Sequence, residues 1–158
     1  AVHATPETRK NLITSIYLDA PAQEAHNLRL QAKYARMSAD AQHETYLCGD
    51  AELVLVAYGI CSRIARTAAE TLRSGGVKAG VFRPVTLSPF PGAALSETLK
   101  GRKALVVELS AGQFHDDVLL HLVKEGGRYQ SVDLCNRMGG MVMTVDDVVE
   151  AARKTMKK

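Results

Sequence analysis

AELVLVAYGICSRIARTAAETLRSGGVKAGVFRPVTLSPFP, residues 51–91, and GAALSETLKGRKALVVELSAGQ, residues 92–113, hold the pattern that decides the fold. A short aliphatic run, Leu53 to Ala57, meets Gly59. A helical pattern follows, with Ile64, Ala68 and Leu72 on one stripe; Ser62 is its expected cap and Gly75-Gly76 its stop. A second apolar run comes next, Val77 to Phe82. Strand, amphipathic helix and strand in that order predict a β-α-β unit.

The rest of the chain repeats that grammar. Pro84, Pro89 and Pro91 mark a stiff connection that disfavours helix or central strand. Ala93–Lys100 reads as a short helix ended by Gly101, and Ala104–Leu109 as a strand buried on both faces up to Glu108. Phe114–Lys124 reads as a helix with Val118 and Leu122 inward, and Tyr129–Leu134 as a strand by alternation. After a Gly-containing loop (Met138–Met143), Thr144 and Asp147 form an expected capping box. The helix behind it carries Val145, Val148, Val149, Ala152 and Met156 on one stripe. The fold class is therefore α/β, a three-layer αβα arrangement around a mostly parallel sheet.

Residues 1–50 differ in kind and are expected to be a linker and helical arm, with 51–158 as the α/β domain. A short apolar stretch, Leu12–Leu18, precedes Asp19 and Pro21, which suit a helix cap and first turn. From Ala22 to about Tyr46 the pattern is weakly helical, with a stripe (Ala25, Leu28, Ala32, Ala35) too thin to make its own core. The chain opens on Ala1, so a segment of a longer protein is expected; a processed mature protein would look the same.

Composition excludes several classes. The 20 Lys and Arg against 17 Asp and Glu are a mild excess, with no basic patch interleaved with aromatics, so nucleic acid is not an expected partner. The three cysteines, Cys48, Cys61 and Cys135, share no CxxC spacing, which argues against a zinc site or iron–sulfur cluster here and for reduced thiols. No apolar run approaches the roughly 20 residues of a membrane helix, so no membrane partner is expected and the expected location is the cytoplasm.

Few residues offer chemistry. The Gly59-Ile60-Cys61-Ser62-Arg63 turn joins a strand end to a helix start. It would either hold an anion on backbone N–H groups or simply make a tight, capped turn; one glycine without GxGxxG favours the second. Cys61 has either enhanced thiolate character at the helix start or, preferably, the role of a small buried hydrophobe. His115 and His121 lie six apart and cannot share a metal on a helix; with Asp116 and Asp117 they are expected at its solvated start. Glu108 is either catalytic or a hydrogen-bond partner of the Gly112-Gln113 turn, the latter favoured because no second placed carboxylate or histidine accompanies it. Ser110 reads as a loop residue. No catalytic set is complete.

AYG at 57–59 with SRIA at 62–65, FRP at 82–84 with PFP at 89–91, and VVE at 106–108 with GQ at 112–113 resemble one family. It is the C-terminal domain of the alpha subunit of 2-oxoacid:ferredoxin oxidoreductases, which is of transketolase C-terminal type. The similarity covers roughly residues 46–156, and Ser110 and Ser88 depart from the Asn and Trp that the family usually carries. The resemblance implies a whole enzyme that decarboxylates a 2-oxoacid (pyruvate, 2-oxoglutarate or, preferred here, a branched-chain acid such as 3-methyl-2-oxobutanoate). Such an enzyme uses thiamine diphosphate with Mg, iron–sulfur clusters, coenzyme A and ferredoxin, with none of these cofactors held by this chain. It implies other oxidoreductase subunits as partners. The same fold in a transketolase or lipoamide-linked dehydrogenase, or a free-standing flavodoxin-like module, are the alternatives.

On that basis the strand ends place Gly59, Ser62, Arg63, Arg83, Pro84, Pro89, Phe90, Pro91, Glu108, Gly112 and Gln113 along one edge of the sheet. This edge is expected to be a packing interface rather than a catalytic site.

Overall fold

The structure, a computed structural model, describes residues 5–8 and 18–158. The chain divides into two compact units, Ala1–Met37 and Ser38–Lys158. In the first, helix α1 (Ala20–Met37) begins as its sequence suggests: Asp19 Oδ2 accepts the Ala22 N–H at 2.9 Å. None of its residues is buried, in keeping with so thin an apolar stripe. Of the Leu12–Leu18 stretch, all but Leu18 lies outside the described residues.

The helix stops at Met37, well short of Tyr46. A single 3-10 turn, Ser38–Asp40, leads instead into strand β1 (His43–Tyr46). HETY has no apolar alternation to announce a strand. It is made one by pairing, antiparallel to β3 with His43 opposite Pro84 and Tyr46 opposite Val81. Long-range hydrogen bonding overrides local preference here.

The other elements follow the expected order: β2 (Leu53–Ala57), α2 (Gly59–Ser74), β3 (Ala79–Pro84), α3 (Gly92–Leu99), β4 (Lys103–Glu108), α4 (Gln113–Lys124), β5 (Ser131–Asn136) and α5 (Val145–Met156). The sheet order is β1-β3-β2-β4-β5, parallel except for β1. The two central strands bury nearly every residue and alternate between two cores. Leu53, Leu55, Leu105 and Val107 face α2 and α5; Val54, Val56, Ala104 and Val106 face α3 and α4. Each fully buried Leu or Phe contributes about 1.5–3 kcal/mol by leaving water, so these two layers dominate the stability.

Two local readings are corrected or confirmed. Ser62 does not cap α2. The helix starts at Gly59 with Tyr58 at the cap position, and Ser62, buried in the first turn, donates its hydroxyl back to Gly59 O at 2.7 Å. The capping box of α5 is present as read: Thr144 Oγ1 accepts the Asp147 N–H at 3.1 Å, and Asp147 Oδ2 accepts the Thr144 N–H at 2.9 Å. At Gly80 a Cβ would stand 2.8 Å from Leu47 O and 2.9 Å from Cys48 Sγ, so only glycine lets the connection between β1 and β2 pass so close.

Candidate functional site

The parallel strands β2, β3, β4 and β5 all end on the same side, and there the connections that follow them converge. An aromatic junction ties three of those connections together. Tyr58, directly after β2, meets Phe114 of α4 edge-on at 4.8 Å between centroids. Phe90, after β3, lies 6.3 Å from Phe114 and stacks on His121 at 4.4 Å. His121 is thus not part of a solvated helix start; burial chiefly, and Lys124 after it, hold its pKa below the ordinary value.

Glu108 ends β4 fully buried and buckles the following turn. Its Oε1 accepts the Gly112 N–H at 2.7 Å and the Ser110 hydroxyl, and its Oε2 accepts the His115 N–H at 2.8 Å. Gly112 sits at φ 109°, a left-handed conformation that side chains resist, which aims its N–H at the carboxylate. Glu108 thus hydrogen-bonds the turn that begins its own connection, as the sequence reading favoured, through three donors. The Gln113 side chain accepts the Ala111 N–H at 2.8 Å, and Asn136 Nδ2 donates to Ser110 O at 2.8 Å, tying β5 to the same turn.

Cys61 is buried, and burial first, then the charge of Glu108, pushes its thiol up, so the small-hydrophobe reading fits and a thiolate does not. Cys135 is pushed to about 11, mainly by burial. Among the described residues no three His, Cys, Asp or Glu side chains gather as a metal site.

Of the residues expected along this edge, Ser62, Pro84, Pro91, Glu108 and Gly112 are buried; they shape it without facing outward. Gly59, Arg63 and Gln113 are exposed, and Arg83, Pro89 and Phe90 are half-buried. Arg83 pairs with Glu44 across the antiparallel ladder at 2.9 Å, leaving its Nε enclosed without a partner. Sequence reading missed the apolar residues that the same connections expose. Tyr58 and Ile60 follow β2, Val85 and Leu87 follow β3, Leu109 follows β4, and Met138, Met141 and Val142 follow β5. The signal was present: each of these parallel strands is followed by large apolar residues where turn residues suffice.

Residues 51–148 match the family model "Pyruvate:ferredoxin oxidoreductase core domain II". The chain belongs to this family. Among curated proteins it is 44% identical over 156 residues to the ketoisovalerate oxidoreductase subunit VorB of Methanothermobacter thermautotrophicus, covering 98% of this chain and 43% of that subunit. It is 35% identical over 101 residues to the 2-oxoglutarate synthase subunit KorA of Methanothermobacter marburgensis, covering 63% of this chain and 26% of that one. Among solved structures, a 2-oxoglutarate:ferredoxin oxidoreductase from Magnetococcus marinus superposes with TM-score 0.65 at 20% identity, over 89% of this chain and 24% of that one. A split-gene transketolase superposes with TM-score 0.59 at 22% identity, over 73% of this chain and 41% of that one. At such identities the structures show a shared fold, and the family assignment rests on the sequence match. That fold is the three-layer, transketolase C-terminal-like arrangement expected. The chain spans about 43% of the ketoisovalerate oxidoreductase subunits that it matches.

Proposed function

We propose that this chain is the non-catalytic assembly domain of a thiamine diphosphate-dependent 2-oxoacid:ferredoxin oxidoreductase of the cytoplasm. The whole enzyme would oxidatively decarboxylate a 2-oxoacid to an acyl-coenzyme A and pass electrons to ferredoxin. Thiamine diphosphate, Mg, the iron–sulfur clusters and coenzyme A would be held by other parts of the enzyme. The substrate is taken to be a branched-chain 2-oxoacid such as 3-methyl-2-oxobutanoate, supported by the similarity to ketoisovalerate oxidoreductase subunits.

The observation that carries the reading is the exposed apolar rim after β2, β3, β4 and β5, running from Tyr58 to Val142. Patches of this kind mark interaction surfaces. The occupant is another domain or subunit of the same enzyme, since the matched subunits extend well beyond the length matched by this chain. The aromatic junction and the Glu108 buckle hold the rim in place before docking, which lowers the ordering entropy lost on association.

The test is made in the assembled oxidoreductase. Phe90→Ala and Arg83→Ala are expected to weaken association, read by analytical ultracentrifugation, while circular dichroism shows the domain still folded. If the complex stays assembled and turnover alone collapses, the rim is a site of chemistry or substrate binding and the assembly reading is wrong.

A further inference from the structure

A cleft of about 210 Å³ opens between the antiparallel edge of the sheet and the first turns of α2. It is set by Glu44 and Tyr46 on β1, Arg83 on β3, and Ser62, Arg63 and Arg66 on α2. Arg83 alternates with Phe82, whose ring joins the α3–α4 core, and so shares the α2 side with Val81. Arg63 and Arg66, three residues apart on a helix, are neighbours on its surface.

We propose that this cleft binds a small phosphate-bearing ligand, with its phosphoryl oxygens taken by Arg63, Arg66 and Arg83. Three guanidinium groups line it against one carboxylate, Glu44, which occupies Nη1 of Arg83 at 2.9 Å. The Nε of Arg83 is enclosed and unanswered. That nitrogen is sealed from solvent, so a ligand would meet Arg83 through the exposed part of its side chain, which is 41% accessible. Arg66 lies over the Tyr46 ring at 4.0 Å, and Tyr46 is itself fixed by donating its hydroxyl to Glu70 at 2.8 Å. Stacking orients the plane of the guanidinium while leaving its N–H edges available. No carboxylate answers Arg63 or Arg66 among the described residues.

The positive end of the α2 dipole adds to this field, since Ser62 lies in its first turn. A carboxylate brings one charge and two oxygens, enough for one arginine fork. A phosphoryl group brings up to two charges and three acceptor oxygens, which suits a cleft lined by three arginines. This site lies beside the apolar rim and shares Arg63 and Arg83 with the edge described above, so it is read by ligand binding to the chain itself and not by assembly.

The 158-residue chain is titrated with inorganic pyrophosphate by calorimetry, with the arginine Nε–H signals followed by NMR. Saturable binding that shifts these arginine signals is expected, weakened about tenfold or more by Arg66→Met and by Arg63→Glu, as loss of a charge-assisted hydrogen bond implies. Lys124→Glu, on α4, serves as the charge control and should leave the affinity unchanged. ADP binding more tightly than pyrophosphate would identify a nucleoside diphosphate, and equal binding the phosphoryl group alone; both support the site. Absence of saturation at millimolar pyrophosphate overturns the proposal, as does an equal loss in the Lys124→Glu control. So does a chain that ignores pyrophosphate but whose Arg66→Met form loses assembly with the rest of the enzyme, since the cleft then receives an acidic protein segment. Failure of pyrophosphate binding leaves the assembly role untouched, because that role is read from Phe90→Ala in the complex.

Discussion

At the N-terminal end of the parallel strands, arginine and lysine side chains are tied down by the chain's own backbone; at the C-terminal end, Arg63, Arg66 and a row of apolar side chains stand without such ties among the described residues. Arg73 at the first end donates to Ala79 O at 2.6 Å and Leu47 O at 2.8 Å and pairs with Asp50 at 2.6 Å. Arg102 donates to Thr98 O at 2.9 Å, and Lys103 reaches the last carbonyls of α5. Among the described residues, the connections at that end expose one large apolar side chain, Leu47. At the opposite end Arg63 and Arg66 have no carboxylate partner among the described residues, and the connections after β2, β3, β4 and β5 expose apolar surface. One end of the sheet is closed on itself, and the other carries the exposed apolar rim on which the assembly role is proposed.

The contrast breaks most sharply at Glu108, a buried part of the open end whose carboxylate is met by the chain's own turn. Glu108→Ala would strand the buried N–H of Gly112 and the N–H of His115 and is expected to cost about 3 kcal/mol in urea unfolding. A loss below about 1 kcal/mol would mean that water serves the turn equally well.

At the closed end, Arg73→Met should lower the urea midpoint without affecting association. It should also change the response to acid. The Arg73 hydrogen bond holds the Asp50 carboxyl below its usual 3.8, so the pair stabilises the fold above that value and its contribution is lost as pH falls below it. The variant should therefore lose less stability than the parent between pH ~5 and ~3, read by urea melts at each pH. A parallel decline would show that Arg73 acts through its backbone bonds alone.

The smallest effect on folding belongs to the rim itself. Leu87→Ser and Met141→Ser should shift unfolding by no more than ~0.5 kcal/mol while weakening assembly of the enzyme. Marked destabilisation would mean that these side chains belong to the core after all.

Much of this architecture was legible because local and global signals agree. Leu53–Ala57 and Ala104–Val107 are continuous apolar runs, and Thr144 with Asp147 sits at capping-box spacing. The turn around Glu108 was readable because its partners lie within seven residues. What escaped reading depends on distance along the chain. His43–Tyr46 is a strand only because β3 offers it an edge, and the Tyr58–Phe114–Phe90 junction joins residues that no local pattern connects. The arginine cleft needs Arg83 and Arg66 brought together by a sheet and a helix that sequence spacing alone does not orient.

Strand β1 also shields a solubility liability. β3 carries bulky apolar residues, Val81 and Phe82, and its outer side is covered by the four residues His43–Tyr46 running antiparallel to it. A chain begun at residue 51, where the family match begins, would bare that row of N–H and C=O groups beside Phe82. An uncovered hydrophobic margin of this kind recruits strands from other molecules and seeds aggregation. The unremarkable tetrapeptide HETY, with its charged Glu44 and its His43 ring stacked on Phe82 at 5.3 Å, is the domain's guard against self-association.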